Sequence, residues 1–417
     1  MRTWLAVAAA VGVAALAVAG PMPGAGAPGP VKIGVLMPLS GNSGAAGQAS
    51  KAAIEVGADI VNSPHPGLSG LPLGAGQGLP KLGGAKIQLI SSDHQGNPSL
   101  GQSEALRLIT QEHVAAIVGA YQSSVTFAAT TVAERNGVPW MVGDSSSPNI
   151  TGRGFKWVFR TTPIAGDFAT AYSGFLKDLG AMGHPVKTVA IVNENTEYGT
   201  SVSGVIKQRL QLDRYQVVAQ IPYNANGTDV SAQVLQLKEK NPDAVIFVSY
   251  TSDSILFMKT FKTLDYKPKL VIGDDSGFSD PAFVAAVGNL AQGAVNRSAW
   301  SVGKPGSVTS RINELYKAKT GRDLDDTSGR NMEGFLVLAD AINRAGSTNP
   351  EAIRAALAAT DLKPSQLMMG YKGVRFDKTG QNVLAYTYLI QLSGTDWVTV
   401  WPRSSAEGAL VWPFKGW

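Results

Sequence analysis

Hydroxyl groups crowd the ends of two consecutive strand-like runs. Ser123 and Ser124 follow "VAAIVGA" (114–120), and Ser145, Ser146 and Ser147 follow "VPWMVG" (138–143). A serine in such a place can be a nucleophile, an anion-binding hydroxyl or a helix cap. A nucleophile on an α/β sheet needs the G-x-S-x-G elbow, which this sequence lacks, and a histidine base beside it. Of His65, His94, His113 and His184, only His94 stands in a loop that could face such a serine. The four histidines show no i, i+4 pair and no His-Glu-x-x-His pattern, so neither metal hydrolysis nor a bound metal is expected. What remains is recognition. Serine hydroxyls and the first amides of a following helix make a cradle for a carboxylate, helped by the helix dipole. A plain capping role would use the same serines with no ligand at all.

Carboxylates offer the complementary charge. Asp274 and Asp275 follow the run "KLVIG" (269–273), at the end of a strand, and Asp275 can pair with an ammonium. A second pair, Asp325 and Asp326, reads as a solvated polar turn. Asp144 stands directly before the second serine cluster. Tyr198 and Tyr250 lie in two further loops of the same kind, "NENTEYGT" (193–200) and "YTSDS" (250–254). Ser123, Ser124, Asp144, Ser145, Ser146, Tyr198, Tyr250 and Asp275 are therefore the candidate ligand-binding residues, for something small and polar.

Those loops need a scaffold that brings strand ends together. Buried β-branched runs at 31–38, 85–91, 114–120 and 138–143 alternate with helix-length segments, which means a parallel sheet covered on both faces. After "FRTTPIAGD" the series restarts, with strands at 188–193, 215–223, 243–250 and 269–273 and helices from near Tyr198, Asp229 and Ser252. Asp229 is placed to cap its helix. In such sheets ligands gather outside the carboxyl ends of the strands, where the serine, tyrosine and acid loops all fall. Helices at 307–319, 331–345 and 350–360 and extended pieces at 373–377, 384–392 and 396–402 are too few for a third domain and are expected to complete the first two. Residues 63–84, rich in Gly and Pro without periodicity, read as a surface insertion, and no phosphate-binding glycine motif occurs there.

The chain has 417 residues, 44% apolar and 16% charged, enough for two domain-sized cores. Its net charge of +5 is scattered among acids and not gathered in a stripe, which argues against nucleic-acid binding. No cysteine is present, so there is neither a disulfide nor a lipid-bearing cysteine. Arg2, the apolar stretch Trp4–Val18 and the small residues Ala17-Val18-Ala19 read as a signal peptide over residues 1–19, cleaved on export. A membrane anchor would need a longer apolar stretch.

Taken in order, "VKIGVLMPLSG", "DHQGNPSLGQSEALRLITQEHVAAIVGAYQSSVT", "NGVPWMVGDSSSPNITGRGFKWVFRTTP", "TVAIVNENTEYGTS", "DVSAQVLQLKEKNPDAVIFVSYTSDSILFMKTFK" and "MEGFLVLADAINRAGSTNPEAIRAAL" resemble the type I substrate-binding proteins of ABC transporters for branched-chain amino acids and amides. The resemblance covers nearly all of the chain after the signal peptide. It implies two Rossmann-like α/β lobes joined by three crossovers, with residues 31–161 and 297–382 in lobe 1 and 162–296 and 383–417 in lobe 2. It further implies a monomeric periplasmic protein, without catalysis or cofactor, that closes on an amino acid or amide and is recognised by a membrane permease. Carried over by position, Ser123 binds the ligand carboxylate, residues 144–146 supply backbone groups and a hydroxyl, Tyr198 and Tyr250 close from lobe 2, and Asp275 pairs with the ammonium. Two departures stand out. Ala46 is small where leucine binders often carry an aromatic, and Asp144 is a carboxylate where a small residue is common, which favours an amine-rich or amide ligand unless Asp144 is a turn cap facing away. A sensor of the same fold, read by a receptor kinase or chemoreceptor, would look identical. An exported hydrolase using His94 is the weaker alternative.

Overall fold

The computed structural model describes Met1, residues 29–274 and residues 276–417; the signal-peptide segment and Asp275 lie outside these described residues. The first half runs β1 (Val31–Met37), α1 (Gly44–Asn62), β2 (Ile87–Asp93), α2 (Pro98–Thr110), β3 (Ala116–Gly119), α3 (Ser123–Asn136), β4 (Trp140–Val142) and β5 (Val158–Arg160). Next come α4 (Ala165–Ala181), β6 (Thr188–Glu194), α5 (Glu197–Leu212), β7 (Gln216–Tyr223), α6 (Ser231–Lys240), β8 (Ala244–Val248), α7 (Thr251–Thr263) and β9 (Leu270–Gly273). The remainder is α8 (Ser276–Ser279), α9 (Pro281–Val287), β10 (Val295–Ser298), α10 (Val308–Thr320), α11 (Asp326–Ala345), α12 (Pro350–Ala358), β11 (Asp361–Leu362), β12 (Val374–Arg375), β13 (Tyr388–Ser393) and β14 (Asp396–Trp401).

Strands β1 to β5 form one parallel sheet in the order β2-β1-β3-β4-β5. The second sheet runs β7-β6-β8-β9-β10 in parallel and is then extended by antiparallel β13 and β14. Apart from that extension, the two sheets repeat one strand order, with the reversal of direction in the order lying between β1 and β3 and between β6 and β8. This is the switch point at which loops splay apart and leave room for a ligand. The central strands are buried along their length, as in "AIVG" of β3 and "AVIFV" of β8, because helices cover both faces, while the outer strands β2 and β7 are only partly covered. The result is two α/β lobes. The chain changes lobe after β5, after β10 and before β13. Helices α10 and α11 pack on α1, while β13 and β14 join the sheet of the second lobe.

Three local expectations are corrected. The Gly- and Pro-rich segment 63–84 is no mere surface insertion, because Leu68, Leu71 and Leu79 bury their side chains in the core shared with α1 and β2. Asp325 and Asp326 do not form a solvated turn, Asp325 being half-buried and Asp326 buried. The oxygens of Asp325 accept from the Ser328 amide at 2.8 Å and its hydroxyl at 2.9 Å, capping α11, so the helix starts at 326 and not near 331. Asp326 is 4% exposed and accepts from Ser298 Oγ at 3.0 Å and from the amides of Ala299 (2.6 Å) and Trp300 (3.1 Å), gripping the chain where it leaves β10. The Asp229 carboxylate does accept from the Ser231 amide at 2.9 Å, one residue earlier than a regular N-cap, since the helix begins at Ser231.

Candidate functional site

The two serine loops are knitted to each other at the carboxyl ends of β3 and β4. Ser145 Oγ donates to the Tyr121 carbonyl at 2.8 Å and shares a 2.7 Å hydrogen bond with Thr126 Oγ1, whose oxygen accepts from the Ala120 amide. Ser123 Oγ accepts from the Ser147 amide at 3.3 Å. Ser145 Oγ is thus occupied in holding the loops, while Ser123 Oγ accepts there and keeps its own proton to donate. Ser146 Oγ donates to the Asp144 carbonyl at 3.2 Å and accepts from Arg297. Ser124, only partly buried, faces a hollow of about 130 Å³ at the cleft mouth, shared with Asn42, Gln95, Gln122, Asn226 and Tyr250.

Arg160, at the end of β5, fixes the second loop from beneath. Its guanidinium donates to the carbonyls of Ser145 (2.9 Å) and Ser147 (2.7 Å), to Thr151 Oγ1 (2.7 Å) and to Gln381 Oε1 (2.7 Å). Burial pulls its pKa down to about 9, yet four charge-assisted hydrogen bonds keep the group satisfied. His94 does the same for the first loop. Its Nε2 donates to the Ala120 carbonyl at 2.8 Å while Nδ1 accepts from the Gly96 amide at 3.1 Å, and burial drives its pKa down to about 4. That ring is neutral and fully used, so it is no catalytic base.

Lobe 2 contributes tyrosines and a charged centre. Glu194 caps α5 by accepting from the amides of Thr196 and Gly199, which sets Tyr198 in the helix's first turn. A Cβ at Gly199 would come within 1.9 Å of the Glu194 carbonyl, so only glycine fits there. Tyr198 OH donates to Asp274 Oδ2 at 2.9 Å, Tyr172 OH donates to Oδ1, and Arg297 Nε reaches the same Oδ1 at 3.3 Å. Asp274 is therefore held by three donors, two on Oδ1 and one on Oδ2. Arg297 is 1% exposed and lies over the Phe168 ring, 3.5 Å from its centroid. Burial opposes its charge, but the acids beside it, Asp274 foremost, more than offset this and raise its pKa.

From that centre Arg297 Nη2 donates to Ser146 Oγ of lobe 1 at 3.3 Å. Nearer the rim, Glu197 Oε1 of α5 accepts from Ser147 Oγ at 2.7 Å and Asn149 Nδ2 at 2.9 Å. Tyr250 meets Tyr121 across the cleft with ring centroids 6.0 Å apart, and its other neighbour Tyr198 at 5.4 Å. The lobes are closed on one another. Asp144 turns away from this meeting. Its carboxylate is buried beside Arg330 and Asn331 of α11, and burial raises its pKa against the pull of Arg330. Neither oxygen makes a hydrogen bond of proper geometry among the described residues.

The structure thus brings Ser123, Ser124, Ser145, Ser146, Tyr198 and Tyr250 to one cleft and sends the Asp144 side chain towards α11. Sequence reasoning missed Arg297, Arg160, Tyr172, Glu197 and Tyr121. For the two arginines a signal existed: each is a lone cation in an otherwise strand-like run, "VFRTT" and "AVNRS", and a charge buried in a sheet must have a partner. A larger hollow of about 840 Å³ lies beside the crossover after β10, walled by Trp300, Trp397, Val284, Leu324 and Asp325, and contains none of the predicted residues.

Two α/β lobes with matched sheet order, closed over a polar cleft at the strand ends, define a two-lobed solute-binding protein. The pattern of a periplasmic binding protein family matches residues 30–396, and the chain belongs to that family. It is similar to "Leu/Ile/Val-binding protein homolog 8" of Brucella abortus (strain 2308), with 33% identity over 90% of this chain and 91% of the relative. Homolog 7 of Brucella suis biovar 1 (strain 1330) is 32% identical over 96% of this chain and 98% of its own. Among solved structures, the leucine-binding protein LivK of Thermotoga maritima MSB8 superposes with a TM-score of 0.75 at 22% identity, covering 89% of this chain and 97% of its own. LivJ of Streptococcus pneumoniae, solved with isoleucine, gives a TM-score of 0.75 at 20% identity over 92% of this chain and 100% of its own. A benzoate complex of a Rhodopseudomonas palustris binding protein gives a TM-score of 0.75 at 18% identity, covering 89% of this chain and 95% of that one. The fold is that of the type I periplasmic binding proteins, and the chain is a solute-binding protein, not an enzyme.

Proposed function

We propose that the protein captures an amino acid or a related small polar solute in the interlobe cleft and passes it, in the closed form, to the permease of an ABC transporter. Export by cleavage of residues 1–19 and action as a monomer in the periplasm belong to the same reading. So does the division into lobe 1 (31–161 and 297–382) and lobe 2 (162–296 and 383–417), except that β10 (Val295–Ser298) stays whole in the sheet of lobe 2, which moves that boundary past Ser298 and leaves Arg297 in lobe 2. The observation that carries it is the meeting of the serine loops of lobe 1 with the arginine, tyrosines and glutamate of lobe 2, at Ser146–Arg297 and Ser147–Glu197. A solute held there contacts both lobes and stabilises only the closed state, which is how binding shifts the population.

Within that reading the ligand carboxylate lies at the first turn of α3, against Ser123, Ser124 and the amides near Ser145 and Ser146, where the helix dipole favours an anion. Tyr198 and Tyr250 cover it from lobe 2, and Asp275 takes an ammonium. Asp144 contributes through its carbonyl, which accepts from Ser146 Oγ at 3.2 Å and Arg330 Nη1 at 3.0 Å, and not through its carboxylate. The curated relatives are named for leucine, isoleucine and valine, which supports an amino acid as the first class to test.

A thermal-shift screen of the protein lacking residues 1–19 against amino acids, amides, aromatic acids and polyamines tests this. Ligand that binds the native state raises the melting temperature, and the rise grows with the logarithm of its concentration once that exceeds the dissociation constant. One class should stabilise the parent, and Ser123→Ala and Asp275→Ala should each weaken the shift. A shift untouched by either substitution would place the ligand elsewhere.

A further inference from the structure

The start of α11 lies where the chain passes between the lobes. Arg330 is 1% exposed, and its Nη1 donates to the Asp144 carbonyl at 3.0 Å and to Thr162 Oγ1 at 3.0 Å. Its Nε lies 2.9 Å from Asp326 Oδ2, one helical turn earlier. The other oxygen of Asp326 accepts from Ser298 Oγ and from the amides of Ala299 and Trp300. One guanidinium thus joins the second serine loop to the first crossover, at Thr162, and through Asp326 to the second, at residues 298–300. The third crossover is fastened to the first as well, because Gln381 Nε2 donates to the Thr162 carbonyl at 2.9 Å and Asn382 Nδ2 to the Thr161 carbonyl at 3.1 Å.

These contacts close into a circuit. Ser146 Oγ donates to the Asp144 carbonyl, which also accepts from Arg330. Arg330 pairs with Asp326, and Asp326 holds Ser298. The residue before Ser298 is Arg297, whose Nη2 returns to Ser146 Oγ at 3.3 Å. Of these links only the last joins a side chain of lobe 2 to a loop of lobe 1. The others lie within lobe 1 or at the crossover itself, so they persist when the lobes part, and Arg297 rejoins Ser146 on closure. That return requires the serine loop to stand at a fixed distance from the chain about which β10 turns. Arg330 and Asp326 set this distance. A planar guanidinium with several donors can hold both neighbours at once, whereas a lysine keeps the charge without the shared geometry.

We propose that Arg330 is a positioning residue for closure: paired with Asp326, it holds the second serine loop in register with the second crossover, so that Arg297 meets Ser146 when the lobes come together. Arg330 acts through the loop and touches no solute. The inference rests on the interlobe reading of the site.

Titration calorimetry and small-angle scattering of the parent, Arg330→Lys, Asp326→Asn, Ser146→Ala and the two double variants that add Ser146→Ala test it, with L-leucine, L-valine, L-phenylalanine, L-glutamine, benzoate, urea and spermidine as solutes. For a solute that contracts the parent, Arg330→Lys and Asp326→Asn should each weaken binding about tenfold, as expected when a hydrogen bond to a charged group is lost. Once Ser146 is alanine the circuit is already open, and either substitution should weaken binding further by no more than about twofold. A residue that only supports the fold would weaken binding by the same factor in both backgrounds. That result, or unchanged affinity in any single variant, overturns the inference while the cleft reading survives. Asp326→Asn keeps the oxygen that accepts from the crossover amides, and it carries the comparison alone if Arg330→Lys fails to fold. Contraction of the parent by none of the solutes overturns both.

Discussion

At the scale of single residues, the cleft and hinge are built on buried charge. Asp274 and Arg297, Asp326 and Arg330 (2.9 Å), and Asp144 are all nearly inaccessible to water. Desolvation of such groups costs several kcal/mol each, so the pairs serve to fix loops and crossovers more than to add stability. Among the described residues Glu333 of α11 makes no ion pair with an arginine. It accepts from the amides of Met368 (2.8 Å) and Met369 (3.0 Å), and burial pushes its pKa up to about 7. The folded state then holds a proton that the unfolded chain releases near the usual carboxylate value. Stability contributed by this group is present at low pH and is lost as pH rises from about 4.5 to about 7, by at most about 3 kcal/mol. Glu333→Gln keeps an acceptor for both amides, so urea denaturation across that range should show a flatter pH dependence in the variant. These charges were only half legible in the sequence. Asp274 could be placed at a strand end, but nothing local marks Arg297 as its partner, because β9 and β10 become neighbours only through sheet pairing.

At the scale of elements, the strands were readable because each buried β-branched run ends in a polar loop at the same edge of its sheet. Helix starts were less so. The apolar period of α11 becomes regular near residue 331, yet the helix begins a turn earlier because Asp325 caps it, and "DLDDTSG" looks like any solvated turn until the crossover packs over it. The segment 63–84 hid its role for another reason. Its buried leucines, at 68, 71 and 79, keep neither a helical nor a strand period, since irregular backbone carries them to the core. Leu79→Ala should therefore cost about 2–5 kcal/mol in equilibrium unfolding, as for a core leucine. A surface leucine would cost less than about 0.5 kcal/mol.

At the scale of the whole molecule, the same strand order in both lobes places two sets of loops face to face. The hydrogen bonds from Ser147 and Asn149 to Glu197 and from Arg297 to Ser146 hold them shut. Such bonds are weak singly, and each becomes available only when the lobes meet. A solute that touches both walls therefore needs to supply only a few kcal/mol of differential affinity to change the populations. The lobes and their meeting edge could be seen in the sequence from its two βα series. The contacts across the cleft could not, because they depend on how far the lobes rotate, which no local pattern records.

The most direct measurement is small-angle X-ray scattering of the protein lacking residues 1–19, with and without saturating amounts of whichever solute gives the largest thermal shift. The radius of gyration should fall on binding towards the value calculated for the closed lobes, and Glu197→Ala should need more solute for the same contraction. Saturation by a solute with no change in the radius of gyration would contradict capture between the lobes.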